Sequence, residues 1–330
     1  MLRSETAASL ERRTAALAGL RRYQEARRVR RRMAPARHRS GPARLRDHGG
    51  DGPPVVFVPS LINPAFVLDI SPGRSLVEHV AAAGFHAWLV DWGTPRPQDA
   101  GLDLAGHVER RLLPLLARLD RPPLLVGYCL GGTLALAAAA RLGERVAGVA
   151  TIAAPWRFAA YGDGARAEML RLWNAAQPAA EAMGVLPMEV LQAGFWRLDP
   201  ARTVAKYVAY ATMDEDAAAT FVALEDWANA GAPLTYAAGR ELFEDLIRDD
   251  RPGTGNWSVG GEAIHPLALS CPAAEFVSLT DRITPAATAA GLATRHELAA
   301  GHVGMVVGSK ARLMLWEPLA GWLRRPASAL

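Results

Sequence analysis

The sequence predicts an α/β fold with a mostly parallel central sheet, helices on both faces of that sheet and a helical cap insertion. Two observations support this prediction. From Pro53 to about residue 153, short apolar runs alternate with longer amphipathic stretches, which is typical of consecutive βαβ units. The alternation then stops for about 110 residues and returns after residue 265. A cap inserted between two parts of one sheet accounts for both features.

Each element is predicted from the period of its apolar residues. The predicted strands cover 55–58, His86–Asp91, 124–126, 146–153, 275–279 and 296–298. The predicted helices cover 74–83, 104–119, 130–141, 285–292 and about 309–323. Residues 156–265 are helical in tendency and hold five of the nine tryptophans. We therefore expect an N-terminal arm and linker at 1–47, a core at 48–155 and 266–330, and a cap at 156–265.

The composition is typical of a globular protein of enzyme size. Half of the 330 residues are apolar and 21% are charged, which excludes a chain that is disordered throughout. The two cysteines, Cys129 and Cys271, cannot form a disulfide framework, and no Cys/His spacing suits structural zinc. No apolar run approaches the roughly 18 residues that span a bilayer. We expect a cytoplasmic protein without a metal site.

The positive charge is concentrated in the arm. Residues 1–46 contain fourteen arginines and three glutamates, a net charge of +11, which leaves −7 for the remainder. Residues 10–33 favour a helix, and Pro35 and Gly41-Pro42 then end it. Such an arm suits an anionic membrane or granule surface, nucleic acid, or a partner helix, with nucleic acid the least favoured. A solvated charged face is the alternative interpretation.

The sharpest local motif is Gly-Tyr-Cys-Leu-Gly-Gly at residues 127–132, between a predicted strand and a predicted helix. It has the form of a nucleophile elbow with cysteine in place of serine. The glycines allow a tight turn, and the helix N-terminus favours a thiolate at Cys129. A phosphate-binding loop is excluded because the P-loop lysine and the G-x-G-x-x-G pattern are missing. A merely buried cysteine is the remaining alternative.

An acid and a histidine follow the cysteine in the order that an elbow nucleophile requires. Asp281 lies after a predicted strand, and His302 lies in a glycine-flanked loop before the last helix. We predict that His302 removes the thiol proton and that Asp281 orients the imidazole. The other histidines fit this role poorly and are predicted to be structural or solvated; they are His38, His48, His79, His86, His107, His265 and His296.

Acyl transfer also needs two backbone donors for the developing oxyanion. The N–H of Leu130, directly after the nucleophile, is one candidate. The second candidate is the N–H of Ser60 or Leu61, in the loop after the first core strand.

In these motifs the chain resembles the polyhydroxyalkanoate synthases, α/β-hydrolase-fold enzymes that polymerise hydroxyacyl-coenzyme A. The matching segments lie at 59–72, 89–93, 127–132, 278–285 and 300–304. The resemblance implies that Cys129, Asp281 and His302 form the catalytic triad, with the coenzyme A thioester as substrate, polyester as product and no cofactor. The length resembles that of the short catalytic subunits, which implies a homodimer or a second synthase subunit and association with polyester granules.

Two other functions remain open from the sequence. One is a thioesterase, esterase or polyester depolymerase of the same fold with a cysteine nucleophile, because the same triad open to water hydrolyses its acyl intermediate. The other is a non-catalytic granule-surface or nucleic-acid-associated protein that is tethered by the arm.

Overall fold

The computed structural model describes residues 2–28 and 33–327. The main sheet has eight strands, numbered along the chain as β1 Ala36–Ser40, β2 Ala43–Asp47, β3 Pro54–Val58, β4 His86–Asp91, β5 Leu124–Tyr128, β6 Gly148–Ile152, β7 Ala273–Ser278 and β8 Thr294–Leu298. Their spatial order is β1-β2-β4-β3-β5-β6-β7-β8. Strands β3 to β8 pair in parallel, whereas β1 and β2 pair antiparallel. The predicted α/β fold with a mostly parallel sheet is confirmed.

The helices are α1 Leu2–Glu5, α2 Leu10–Glu25, α3 Leu76–Ala82, α4 Leu104–His107, α5 Leu113–Leu116, α6 Leu130–Leu142, α7 Asp163–Met183, α8 Met188–Leu198, α9 Pro200–Tyr210, α10 Glu215–Ala228, α11 Tyr236–Arg240, α12 Gly304–Val307 and α13 Glu317–Ala327. Three π-helical segments adjoin them, Val108–Leu112 between α4 and α5, Glu241–Arg248 after α11 and Arg312–Trp316 before α13. Helices α7 to α11 lie in the region predicted as the cap. Among the helices that the structure describes, none is long and apolar enough to cross a membrane.

The central strands are buried on both faces, which explains their continuous apolar sequences. In β3, Val56 and Val58 pack in the cluster that contains α4 and α6, whereas Val55 and Phe57 pack in the cluster that contains α3 and α13. Each face of the sheet is therefore covered by helices. The polar side chains of the predicted catalytic residues are left to the loops at the strand ends.

The prediction of an arm and linker at 1–47 is wrong for residues 36–47, because these residues form the β1-β2 hairpin at the edge of the main sheet. Gly41 makes the turn with φ of 61°. Ala43 and Leu45 are buried, and the intervening Arg44 and Arg46 bind Asp91 of β4. The alternation of small or apolar residues with arginine is a strand pattern of period two.

Two helix predictions also need correction. The arm helix ends at Glu25, before residue 33, and part of the predicted extension lies outside the described residues. In place of the helix predicted at 285–292 there is a single 3₁₀ turn at Ala286–Thr288. The Thr288 carbonyl there accepts N–H groups from Trp156 and Arg157. The Thr288 carbonyl is therefore bonded to distant backbone N–H groups and not to an N–H within a helix.

The arm helix α2 packs on the cap. Ala16 and Gly19 are buried, and a Cβ on Gly19 would lie 1.8 Å from the Tyr207 carbonyl oxygen of α9. Arg22 donates to the Tyr210 carbonyl at 2.6 Å. One face of this helix is therefore an intramolecular contact, while Arg21 remains exposed.

Gly19→Ala should destabilise the protein by about 1–3 kcal/mol, because the added methyl group overpacks the contact between α2 and α9. In a free helix the same change would stabilise by about 1 kcal/mol. Gly164→Ala in α7 is the matched control, since a Cβ there meets no atom within 4 Å. Denaturant unfolding of both variants measures the difference, and a gain in stability for Gly19→Ala would contradict the docking.

Asp91→Asn should destabilise the protein by about 1–2 kcal/mol at pH 7, because Arg44 and Arg46 lose their carboxylate partner. Burial alone would raise the pKa of Asp91, but the two guanidinium groups and the Gly93 N–H hold it below its usual value. The stabilisation is therefore present above about pH 3.8 and is lost as the pH falls through the lowered pKa. Urea unfolding of both proteins from pH 7 to pH 2.5 should show the difference shrinking only at the acid end.

Candidate active site

At the predicted elbow, Cys129 lies between β5 and α6 with φ of 54° and ψ of −134°, a conformation that non-glycine residues rarely adopt. Two backbone hydrogen bonds hold it. Its N–H donates to the Ile152 carbonyl at 2.9 Å, and its carbonyl accepts from the Gly132 N–H at 2.8 Å. The thiol is half-buried. It lies at the N-terminus of α6, directly before Leu130.

The two glycines after the cysteine permit very close packing. A Cβ on Gly131 would lie 2.1 Å from the Val58 carbonyl oxygen, and a Cβ on Gly132 would lie 2.3 Å from the Cβ of Ala154. No side chain fits at either position. As a result, α6 begins directly against the end of β3 and the loop that follows it.

Asp281 and His302 lie together in the loops that follow β7 and β8. Nδ1 of His302 is 2.5 Å from Oδ2 of Asp281, and both side chains are buried. The other oxygen, Oδ1, accepts the N–H groups of Ile283 and Thr284 at 2.7 and 3.0 Å. Since a carboxylate only accepts, Nδ1 carries the proton, and Nε2 is the nitrogen left for the thiol.

Cys129 and His302 are coupled by charge and by a hydrogen bond. Burial alone would lower the pKa of His302, but the negative charge of the Cys129 thiolate and hydrogen bonds with Asp281 and Cys129 raise it to about 10. Below that pH the His302 imidazole is favoured in its charged form. The stability that the raised pKa of His302 contributes is fully present below about pH 6.5 and is lost as the pH rises through about 10.

The residues predicted to supply oxyanion donors also lie at this edge of the sheet. Ser60 and Leu61 are buried in the loop after β3, and Ser60 Oγ accepts the Ile62 N–H at 3.1 Å. A Cβ on Gly131 would lie only 2.4 Å from the Pro59 carbonyl oxygen. The N–H groups of Leu130, Ser60 and Leu61 are thus within two residues of this contact. We propose them as the oxyanion donors.

Two tryptophans with no role predicted from the sequence contact the loop after β3. The indole N–H of Trp92, after β4, donates to the Pro59 carbonyl at 3.0 Å. The indole N–H of Trp227, in α10, donates to the Pro64 carbonyl at 2.8 Å. The high tryptophan content of the predicted cap was the available signal, but it gave no indication of this contact.

Two tyrosines lie near the charges of the site. The Tyr128 hydroxyl donates to the His302 carbonyl at 3.2 Å, and its ring centroid is 5.1 Å from that of the imidazole. Burial raises the pKa values of Tyr128 and Tyr161, and the charges of Cys129 and Asp281 raise them further. Both phenols therefore remain protonated and neutral at the pH values where the His302 imidazole is charged.

A strained elbow nucleophile, followed by an acid and a histidine in the loops after the last two strands, defines the site. A family model described as the alpha/beta hydrolase fold matches residues 53–244, more than half of the chain. The chain belongs to the alpha/beta hydrolase family. Solved structures agree with this hydrolase fold. An alpha/beta hydrolase fold protein from Nakamurella multipartita has a TM-score of 0.51 at 19% identity, with 89% of this chain and 100% of that chain covered.

The alpha/beta hydrolase GrgF from a Penicillium species also has a TM-score of 0.51, at 18% identity, with 87% of this chain and 95% of that chain covered.

The similar sequences indicate which group of proteins the chain resembles. The poly(3-hydroxyalkanoate) polymerase subunit PhaC of Haloferax mediterranei is 28% identical over 82% of this chain and 58% of that protein. The subunit of the same name from Thiocystis violacea is 27% identical over 82% of this chain and 80% of that protein. The chain spans 58% and 60% of the two haloarchaeal relatives, from Haloferax mediterranei and Haloarcula marismortui. The predicted resemblance to poly(3-hydroxyalkanoate) polymerase subunits is confirmed.

Cys129→Ala should lower the pKa of His302 from about 10, because the variant loses the thiolate charge and its hydrogen bond while burial still opposes the imidazolium. The measurement is an NMR titration of the His302 imidazole in both proteins. His107, whose pKa burial lowers to about 4, is the internal control. An unchanged His302 titration would show that the thiol and the imidazole are not coupled.

Proposed function

We propose that the chain is an acyltransferase that polymerises (R)-3-hydroxyacyl-coenzyme A into polyhydroxyalkanoate through a thioester on Cys129. The half-buried thiol, coupled to a buried His302–Asp281 pair, carries the proposal. The similarity to poly(3-hydroxyalkanoate) polymerase subunits over 82% of the chain supports the choice of substrate.

In the loading step, Nε2 of His302 holds the proton of the Cys129 thiol, and the Cys129 thiolate attacks the substrate thioester carbonyl. The N–H of Leu130 and one from Ser60 or Leu61 stabilise the oxyanion. The bond from the carbonyl carbon to the coenzyme A sulfur then breaks, and the leaving thiolate takes the proton from the imidazolium. The products are free coenzyme A and an acyl group on Cys129.

In the transfer step, His302 takes the proton of an incoming 3-hydroxyl group, whose oxygen attacks the acyl group on Cys129. An oxygen ester forms, the bond to Sγ breaks, and the cysteine leaves as a thiolate beside the protonated His302. Asp281 keeps Nδ1 protonated and the ring oriented in both steps. Each cycle therefore lengthens the ester by one unit with no net change at the enzyme.

Cysteine suits this sequence because loading exchanges one thioester for another, a nearly balanced reaction. Transfer to a hydroxyl group then forms the more stable oxygen ester. The step competes with hydrolysis, so the cap must limit water at the half-buried thiol.

We also propose that the chain acts with a second subunit and at a granule surface. The relatives are themselves named as subunits, which supports the first part. The exposed arginines of the arm, Arg3, Arg21 and Arg27, suit an anionic surface and support the second. Neither proposal requires the arm to leave the cap.

Incubation with (R)-3-hydroxybutyryl-coenzyme A should release coenzyme A, form an acyl adduct on Cys129 and yield insoluble polyester. Mass spectrometry of the digested protein locates the adduct, and the assay is run without and with a candidate second subunit. Cys129→Ala should abolish the adduct, and His302→Gln should slow its formation by roughly 10²–10⁴-fold, since it removes the general base.

Cys271→Ser is the matched control, because Cys271 is the other free cysteine and is also half-buried. It should leave the rate unchanged. Release of free 3-hydroxybutyrate in place of polyester would identify a hydrolase. Full activity in Cys129→Ala would exclude the thioester route.

A further inference from the structure

The oxyanion loop, defined as residues 59–64, is held at both ends by indole N–H groups. The loop begins and ends with proline, and each proline carbonyl accepts one tryptophan N–H. Trp92 follows a core strand, so its contact with Pro59 fixes one end to the sheet. Trp227 belongs to α10, so its contact with Pro64 joins the other end to the cap.

Further contacts join the loop to the end of α10. The Asn63 side-chain amide faces the carbonyl oxygens of Trp227, Ala228 and Ala230 at 3.4–3.5 Å. Gly231, with φ of 158°, packs so closely that a Cβ there would lie 2.6 Å from the Ile62 carbonyl oxygen. The C-terminal end of α10 and the loop therefore form one packed unit.

We propose that Trp227 is a positioning residue through which the cap sets the geometry of the oxyanion loop. The inference rests on the proposed function, since it assumes that this loop supplies an oxyanion donor. In this role Trp227 need not touch the thiol or the imidazole. It acts through the backbone of residues 60 and 61, three or four residues from the Pro64 carbonyl that it holds.

A small displacement of this loop is sufficient to matter. Oxyanion donors act at hydrogen-bond distance on charge that develops only in the transition state, so a shift of about 1 Å costs roughly a hundredfold in rate. Substrate binding changes less, because the ground-state carbonyl carries little charge. The same shift leaves the thiolate and imidazolium pair intact, since that pair depends on the elbow and on the loops after β7 and β8.

The test compares Trp227→Phe with Trp173→Phe. Both changes remove an indole N–H from a buried tryptophan of the cap region, but Trp173 donates to Glu244 at 3.1 Å and stacks on Phe243, away from the loop. Single-turnover acylation of Cys129 by 3-hydroxybutyryl-coenzyme A should slow by about 10–100-fold in Trp227→Phe, with the half-saturating concentration within about threefold. Trp173→Phe should retain the parent rate.

Two further measurements separate positioning from folding and from chemistry. Alkylation of Cys129 by iodoacetamide, which needs no oxyanion donor, should proceed at the parent rate in both variants. Hydrogen exchange of a peptide covering residues 59–64 should accelerate in Trp227→Phe and stay unchanged in Trp173→Phe. Gly231→Ala, which keeps the indole and displaces Ile62, should reproduce the slow acylation if Trp227→Phe does not fold.

Parent-like acylation and parent-like exchange in Trp227→Phe would overturn the proposal. If the parent protein itself forms no acyl adduct, the proposed function fails, and the exchange measurement still decides whether Trp227 holds the loop. Equal slowing in both tryptophan variants would also overturn it, because the effect would then belong to the cap as a whole.

Discussion

The strained backbone at Cys129 is the constraint on which the site depends. A non-glycine residue at φ of 54° costs of order 1–3 kcal/mol and persists only where its surroundings determine it. Here β6 and the first turn of α6 provide the fixed hydrogen bonds, and the glycines at 131 and 132 let α6 begin against β3 and β6. The turn that exposes the thiol therefore also brings the loop after β3 to the same point.

The parallel sheet brings the remaining groups to that point. Parallel strands end at one edge, so the loops after β3, β5, β7 and β8 face a shared space although they are far apart in sequence. Asp281 and His302 are buried there, and burial opposes charge on the imidazole. The thiolate and the carboxylate reverse that effect, so a charged pair forms where an isolated imidazolium would be disfavoured.

The arm helix packs against helices of the predicted cap. Helix α2 packs on α9, and Tyr23 and Arg28 bind Asp226, the residue before Trp227. The arm also leads into the β1-β2 hairpin, which completes the main sheet next to β4. The basic N-terminal region thus contacts both the predicted cap and the main sheet. Its buried face has a structural role, so this region is not a free tether.

The sequence alone determined the core strands, most of the core helices and the identity of Cys129, Asp281 and His302, because strand runs, glycine spacing and chain order are local properties. It failed where tertiary contacts decide. Pro35 and Gly41-Pro42 suggested a linker at residues 36–47, and only pairing with β4 and Asp91 makes these residues strands. Residues 285–292 favour a helix locally, but contacts with Trp156 and Arg157 prevent it. The hydrogen bond from Trp92 to the Pro59 carbonyl spans 33 positions of the sequence, and that from Trp227 to the Pro64 carbonyl spans 163. No local pattern in the sequence encodes such a contact.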